Sequence, residues 1–254
     1  MKRIVIKVGS AVLTEQNRIA KVRMQALVDL IALIKERYDV ILVSSGAVSA
    51  GYTEHKLDKK NLANKQALAA IGQPLIMHRY RLMFEKHGII PAQVLLSKAN
   101  FEAQEQISHV HDMVNVLLTE NVLPIVNEND ATAVEELVLG DNDQLSAYTA
   151  LHLGADILII LSDIDAYYDK DPRTHDDAKV LKYVHSIEPK ELEKEVSPNN
   201  PFATGGIVTK LKAADYLLKQ GKSMFLSSGF DLTQVKQFLL EDTFDVGTLF
   251  EVKK

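Results

Sequence analysis

Short apolar runs separated by longer amphipathic stretches set the rhythm of this chain from end to end. The runs fall at residues 4–8, 40–43, 89–95, 123–126, 157–161, 223–226 and 246–250, rich in Val, Ile and Leu without strict alternation. Such runs suit strands covered on both faces. Helical patterns fill the intervals at 23–35, 63–85, 101–118, 144–152, 208–218 and 232–239. This order predicts right-handed βαβ crossovers and a mainly parallel central sheet, an α/β fold built as a three-layer α/β/α sandwich. Residues 165–184 break the rhythm with Tyr167, Tyr168, an Asp171-Pro172-Arg173 turn and a second apolar run at 180–184, which predicts a β-hairpin excursion beyond the main sheet. Residues 196–206 carry two prolines, two glycines and two asparagines and read as a mobile loop. With no internal repeat or linker, the 254 residues read as one domain with a modest internal division.

Composition narrows the function. The net charge of −5 argues against a protein that grips nucleic-acid phosphates. The absence of cysteine removes disulfides, thiolate metal sites and a cysteine nucleophile. The apolar start is interrupted by Lys7 and followed by Gly9 and Ser10, so no secretory core forms, and no run approaches the ~20 apolar residues that span a bilayer. A cytoplasmic protein that binds neither membrane nor nucleic acid is expected.

Chemistry-bearing residues gather where the strands end, the place where open parallel sheets bind ligands. Lys7 lies in the first strand and is followed by Gly9, which lets a phosphate approach the backbone; a snorkelling lysine is the plain alternative. Ser44, Ser45, Gly46 and Ala47 follow the second strand and lead into a helix, a pocket of free N–H groups suited to an anion. Residues 46–53 nearly match a phosphate loop, but Tyr52 stands where that mechanism requires lysine, so the match is discounted. The polar run Asn127, Glu128, Asn129, Asp130 reads as a substrate loop in preference to a simple Asx turn. Gly140, Asp141, Asn142 and Asp143 precede a helix; one of them is expected to cap it, which leaves amide and carboxylate groups for orienting a substrate or its lysines. Thr204, Gly205, Gly206, Ile207, Val208, Thr209 and Lys210 open another helix, with exposed N–H groups at its positive end and Lys210 about one turn inside. Lys7 and Lys210 together suit phosphoryl transfer, which needs cations around the migrating group. Ser162 and Asp163 follow a strand and either bind a nucleotide or cap a turn. His109 and His111, two apart on a predicted helix, make a poor metal pair.

Taken in order, IVIKVGSAVLT (4–14), VSSGAVSAG (43–51), PIVNENDA (124–131), GDNDQLSA (140–147), LSDIDAYYDKDPR (161–173) and TGGIVTKLKAA (204–214) resemble the amino acid kinase family, and within it the glutamate 5-kinases. The resemblance covers essentially the whole chain. It implies ATP-dependent phosphorylation of the side-chain carboxylate of L-glutamate, the first step towards proline. Lys7 and Lys210 would flank the γ-phosphoryl group, with Asp143 organising them. Ser45, Gly46, Asp130 and Asn142 would hold glutamate, with Asn127 nearby. Lys7, Gly9, Ser162, Asp163 and the run from Thr204 to Lys210 would hold ATP, with Mg²⁺ on its phosphates and no protein side chain assigned to the metal. Residues 1–155 would form the substrate lobe and 156–254 the ATP lobe. The resemblance also implies a dimer or tetramer, proline feedback, and hand-over to glutamyl phosphate reductase. Two departures stand out: many members carry a C-terminal PUA domain, expected here to be missing, and Ile207 replaces a common methionine. Kinases acting on acetylglutamate, aspartate, carbamate or UMP, and a non-catalytic ATP or glutamate sensor, remain the competing readings.

Overall fold

The computed structural model describes residues 1–16, 18–133, 142–193 and 205–253. Its frame is one sheet of eight strands, β1 (Lys2–Val8), β4 (Tyr38–Val43), β5 (Pro91–Leu96), β6 (Leu123–Glu128), β7 (Ile157–Ser162), β8 (Tyr183–Val184), β9 (Ser223–Ser228) and β10 (Thr248–Phe250), ordered β5-β6-β4-β1-β7-β9-β10-β8. Neighbours from β5 through β9 pair in parallel, and β10 runs antiparallel to β9. A short helix α1 (Ser10–Leu13) and a two-stranded ribbon of β2 (Thr14–Glu15) and β3 (Arg18–Ile19) follow β1. Along the chain come α2 (Lys21–Ile34), α3 (Ala47–Glu54), α4 (Leu62–Glu85), α5 (Gln104–Thr119), α6 (Asp143–His152), α7 (Pro189–Leu192), α8 (Gly205–Lys219) and α9 (Thr233–Glu241).

Alternation along the central strands sorts two cores. Ile4, Ile6 and Val8 of β1, with Val40 and Leu42 of β4, pack under α2, α4 and α9. Val5 of β1, Ile41 and Val43 of β4, and Leu158 and Ile160 of β7 pack under α6 and α8. Because successive side chains point to opposite faces, Lys7 shares the face of Val5 and points beneath α6 and α8. An aliphatic residue there would join the core. A lysine with 0% exposure needs partners, and those two helices lie over its face of the sheet.

The predicted strands and helices all form, mostly extended by one or two residues. The segment at 165–184 makes the antiparallel contact expected of it, but only briefly. Its arms meet in a single bridge between Tyr168 and Val180, and Tyr183–Val184 then joins the main sheet beside β10. The open edge of β10 supplies backbone partners that a detached hairpin would lack. The loop expected at 196–206 lies outside the described residues, apart from Gly205 and Gly206, which open α8.

Helices α3 and α4 cross with their backbones touching. A Cβ built on Gly51 would overlap the Leu68 carbonyl, and one on Gly72 would overlap the Ala47 carbonyl. Only glycine permits this approach. The crossing fixes the start of α3, preceded by Gly46 at φ +96°, and Gly46 in turn leads from β4 into the site.

Candidate active site

The site lies beyond the carboxyl ends of β1, β4, β6 and β7. At its centre is Asp143, the first residue of α6, with 0% exposure. The Lys7 ammonium donates to Asp143 Oδ1 at 2.6 Å, and the Lys210 ammonium donates to Oδ2 at 3.0 Å. Thr209 Oγ1 also donates to Oδ2, at 2.9 Å. The positive end of α6 adds favourable potential at this carboxylate. The Asp143 carboxylate thus bridges two buried ammonium groups. Gly9 closes the corner: its N–H donates to the Leu161 carbonyl at 2.9 Å, and a Cβ built on it would lie 3.9 Å from Lys7 Nζ. A flat, side-chain-free approach to the lysine is the result.

Beside this cluster lies a second one, built largely of amides and hydroxyls. Asn142 occupies the N-cap position of α6 but makes no side-chain cap bond. Its amide donates instead to the Ser44 carbonyl and to Asn127 Oδ1, both at 2.7 Å, with Ser45 Oγ at 3.3 Å. The two amide protons are taken up by the two short bonds, so the Ser45 hydroxyl proton remains available to a ligand. Asn127 passes the contact on, donating to Gln73 Oε1 of α4 at 2.8 Å. Ser44 Oγ lies 3.0 Å from the hydroxyl of buried Tyr80, whose pKa is raised by burial. Asp130, 6% exposed, keeps a buried Oδ1 without a hydrogen-bond partner among the described residues, and desolvation pushes its pKa up to about 6.

A cavity of about 500 Å³ opens beside the start of α8. Its walls include Asp163, Tyr167, Tyr168, Lys170, Ile207 and Leu211. The apolar side chains can cover a flat ring, and polar groups at the rim can orient it. Tyr167 donates to Glu191 at 3.3 Å, and Tyr168 to Asp165 at 3.2 Å, which ties both rings in place. Of the residues expected to hold a nucleotide, Asp163, Ile207 and Val208 line this cavity. Ser162 does something more local, donating to Asp163 Oδ1 at 2.9 Å and accepting from the Ile164 N–H at 3.3 Å. A Cβ at Gly206 would press on Ile164 Cδ1 at 2.9 Å, so glycine lets α8 close against the cavity wall. Thr204, Gly140 and Asp141 lie outside the described residues. The aromatic and basic cavity walls went unassigned in the sequence because they sit in the segment read there as a hairpin; Tyr167-Tyr168 beside Lys170 and Arg173 was the available signal.

Two adjoining sites, one with paired lysines and a ring-sized cavity nearby, one rich in amides, fit the transfer of a phosphoryl group between two ligands. A sequence model of the amino acid kinase family matches residues 2–227. The chain belongs to the amino acid kinase family. A glutamate 5-kinase of Wolinella succinogenes is 54% identical to it over 255 residues, covering 98% of each chain. A glutamate 5-kinase of Leishmania donovani is 52% identical over 250 residues, covering 98% of this chain and 95% of its own. Among solved structures, carbamate kinase from Giardia lamblia bound to AMP-PNP has the same fold, with a TM-score of 0.67 at 17% identity over 99% of both chains. An isopentenyl phosphate kinase also reaches 0.67 at 17% identity, covering 98% of this chain and 99% of its own.

Proposed function

We propose that this amino acid kinase transfers the γ-phosphoryl group of ATP to the side-chain carboxylate of L-glutamate. The observation that carries the site reading is Asp143 holding Lys7 and Lys210 between the amide pocket and the cavity. The substrate comes from two relatives above 50% identity, both glutamate 5-kinases.

Glutamate's side-chain carboxylate ordinarily titrates near a pKa of about 4.3, so it is ionised at neutral pH and no general base is required. A carboxylate oxygen attacks the γ-phosphorus, the bond from phosphorus to the β,γ-bridging oxygen breaks, and ADP leaves with that electron pair. Lys7 and Lys210 offset the repulsion between nucleophile and phosphate, and more effectively where water is excluded. Asp143 keeps them on opposite sides of the path. Ser45, Gly46, Asn127 and Asn142 form the glutamate pocket, and Asp130 supplies a carboxylate for the α-ammonium. The 500 Å³ cavity takes the nucleoside, with Asp163 at its rim and Gly9 and the residues from Thr204 to Lys210 next to the phosphates. Among the described residues no three His, Asp or Glu side chains are placed to hold a metal. Mg²⁺ would be carried mainly on the ATP phosphates, as is common for this ion, and would neutralise phosphate charge there.

The amide pocket draws on residues 44–142 and the cavity on residues 163–211, in keeping with a substrate lobe at 1–155 and an ATP lobe at 156–254. Among the described residues no helix is long and apolar enough to cross a membrane. Action in the cytoplasm as a dimer or tetramer, inhibition by proline and hand-over of the acyl phosphate to glutamyl phosphate reductase belong to the same reading and come from the family resemblance.

The test is ADP release with Mg-ATP across glutamate, acetylglutamate, aspartate, carbamate and UMP, with hydroxylamine trapping any acyl phosphate. Glutamate-dependent release with a matching hydroxamate is the expected result. Turnover with another acceptor alone reassigns the amide pocket, and ATP binding without any turnover favours a sensor.

Asp130 adds a pH prediction. Its raised pKa of about 6 in the free protein means that the carboxylate gains a proton as pH falls through that value and no longer pairs with an ammonium. kcat/KM for glutamate should therefore fall about tenfold per unit below pH 6, since this parameter reports free-enzyme ionisations. Asp130→Asn should be slower at pH 8 yet flat across the same range. A wild-type profile unchanged between pH 5 and 7 would remove the carboxylate from the site.

A further inference from the structure

The orientation of an asparagine amide is normally ambiguous, because oxygen and nitrogen look alike. Here one contact removes the ambiguity. The Ser44 backbone carbonyl can only accept, so the Asn142 atom 2.7 Å away must be the nitrogen. The same nitrogen lies 2.7 Å from Asn127, which must then present its oxygen. Asn127 consequently turns its nitrogen towards Gln73, 2.8 Å away, and Gln73 must answer with Oε1. Its own nitrogen then faces Gln93 Oε1 of β5 at 3.0 Å. Four amides from α6, β6, α4 and β5 form a relay with one permitted direction.

The relay ends on an unfilled acceptor. Asn142 is 1% exposed, and its Oδ1 is buried without a hydrogen-bond partner among the described residues. Glutamate carries two carboxylates, which accept, and one ammonium, which alone donates. A buried amide oxygen in a glutamate pocket therefore selects for the ammonium. Were the Asn142 amide to turn over, its nitrogen would face the ammonium and its oxygen would face the Ser44 carbonyl, losing both contacts.

We propose that Gln73, which lies behind Asn127 as seen from Asn142, is a positioning residue that holds the Asn127 side chain, and through it Asn142, in place to recognise the α-ammonium, while the Ser44 carbonyl sets which way the Asn142 amide faces. The proposal rests on the glutamate pocket assigned above. Gln73 lies on α4 one residue beyond Gly72, where α4 meets α3, so a backbone contact fixes the point from which its side chain reaches Asn127. An oxygen at this position is what matters. Glutamate in place of glutamine still accepts from the Asn127 amide; leucine, close in volume, cannot.

Steady-state kinetics of Gln73→Leu and Gln73→Glu test this, with inhibition by glutarate, the analogue lacking the ammonium, measured beside them. Gln73→Leu should raise KM for glutamate about tenfold, the scale of one lost buried hydrogen bond to a charged group, with KM for ATP unchanged. Gln73→Glu should restore KM to within about threefold, and glutarate should inhibit all three proteins alike. An unchanged glutamate KM in Gln73→Leu overturns the proposal. Parallel weakening towards glutamate, glutarate and ATP overturns it too, by showing a general loss of structure. Wild-type protein inactive on glutamate would overturn the pocket assignment itself, a failure seen before any variant is made.

Discussion

Asp143→Ala should be the most damaging single replacement in the molecule. It removes the carboxylate that accepts from the ammonium groups of both Lys7 and Lys210, each at 2% exposure or less. Removing one member of a buried ion pair costs about 3–5 kcal/mol, because the remaining charge stays desolvated. Turnover should fall by about 10³, since neither lysine keeps its place on the path of the phosphoryl group. The two losses should separate on adding nucleotide. ATP brings several negative charges to the lysines and stabilises the folded state by mass action. Saturating Mg-ATP should therefore raise the melting temperature of Asp143→Ala more than that of the wild type, while turnover stays low. Equal shifts in the two proteins would mean that the lysines do not meet the phosphates.

Removing the lysines one at a time tests the same centre from the other side. Lys7→Ala and Lys210→Ala should each lower kcat by about 10²–10³, the loss seen when one preorganised donor is withdrawn from a transition state. KM for glutamate should change little, because the amide pocket contains neither lysine. Both lysines share Asp143, so the double variant should lose less than the product of the two single losses. Lys7→Arg should not rescue: the planar guanidinium is larger, and the strand face around Lys7 is filled by Val5, Val43 and Ile160. Wild-type-like turnover in either alanine variant would take that lysine out of the mechanism.

The frame of this fold was legible in the sequence because its central strands are continuous apolar runs with no rival interpretation. Lys7 was legible for the opposite reason, as a charge in a run where every neighbour is aliphatic. Short elements escaped: α1 has four residues and the β2–β3 ribbon pairs two with two, too few to show a period. The placement of residues 180–184 also escaped, since only the folded sheet reveals that β10 has an edge to offer. Within the site, the residue types were read from strand ends, but their partners were not. Asn142 meets Ser44 across 98 positions and Asn127 meets Gln73 across 54, and no local pattern encodes either. A cap was expected among the residues before α6. Asn142 has the right place for one, and its amide serves the pocket instead.

The crossing of α3 and α4 at Gly51 and Gly72 bears on how this pocket can open. Ordinary helix pairs slide past one another by repacking the side chains between them. Here backbone meets backbone, so there is no such layer to repack. The two helices must travel as a single rigid body, carrying Ala47 and Gln73 together. Any widening for a bulkier amino acid then has to hinge at Ser44, Ser45 and Gly46, where the chain leaves β4. Laboratory evolution towards larger acceptors should accordingly gather its changes in that three-residue joint and leave both glycines untouched.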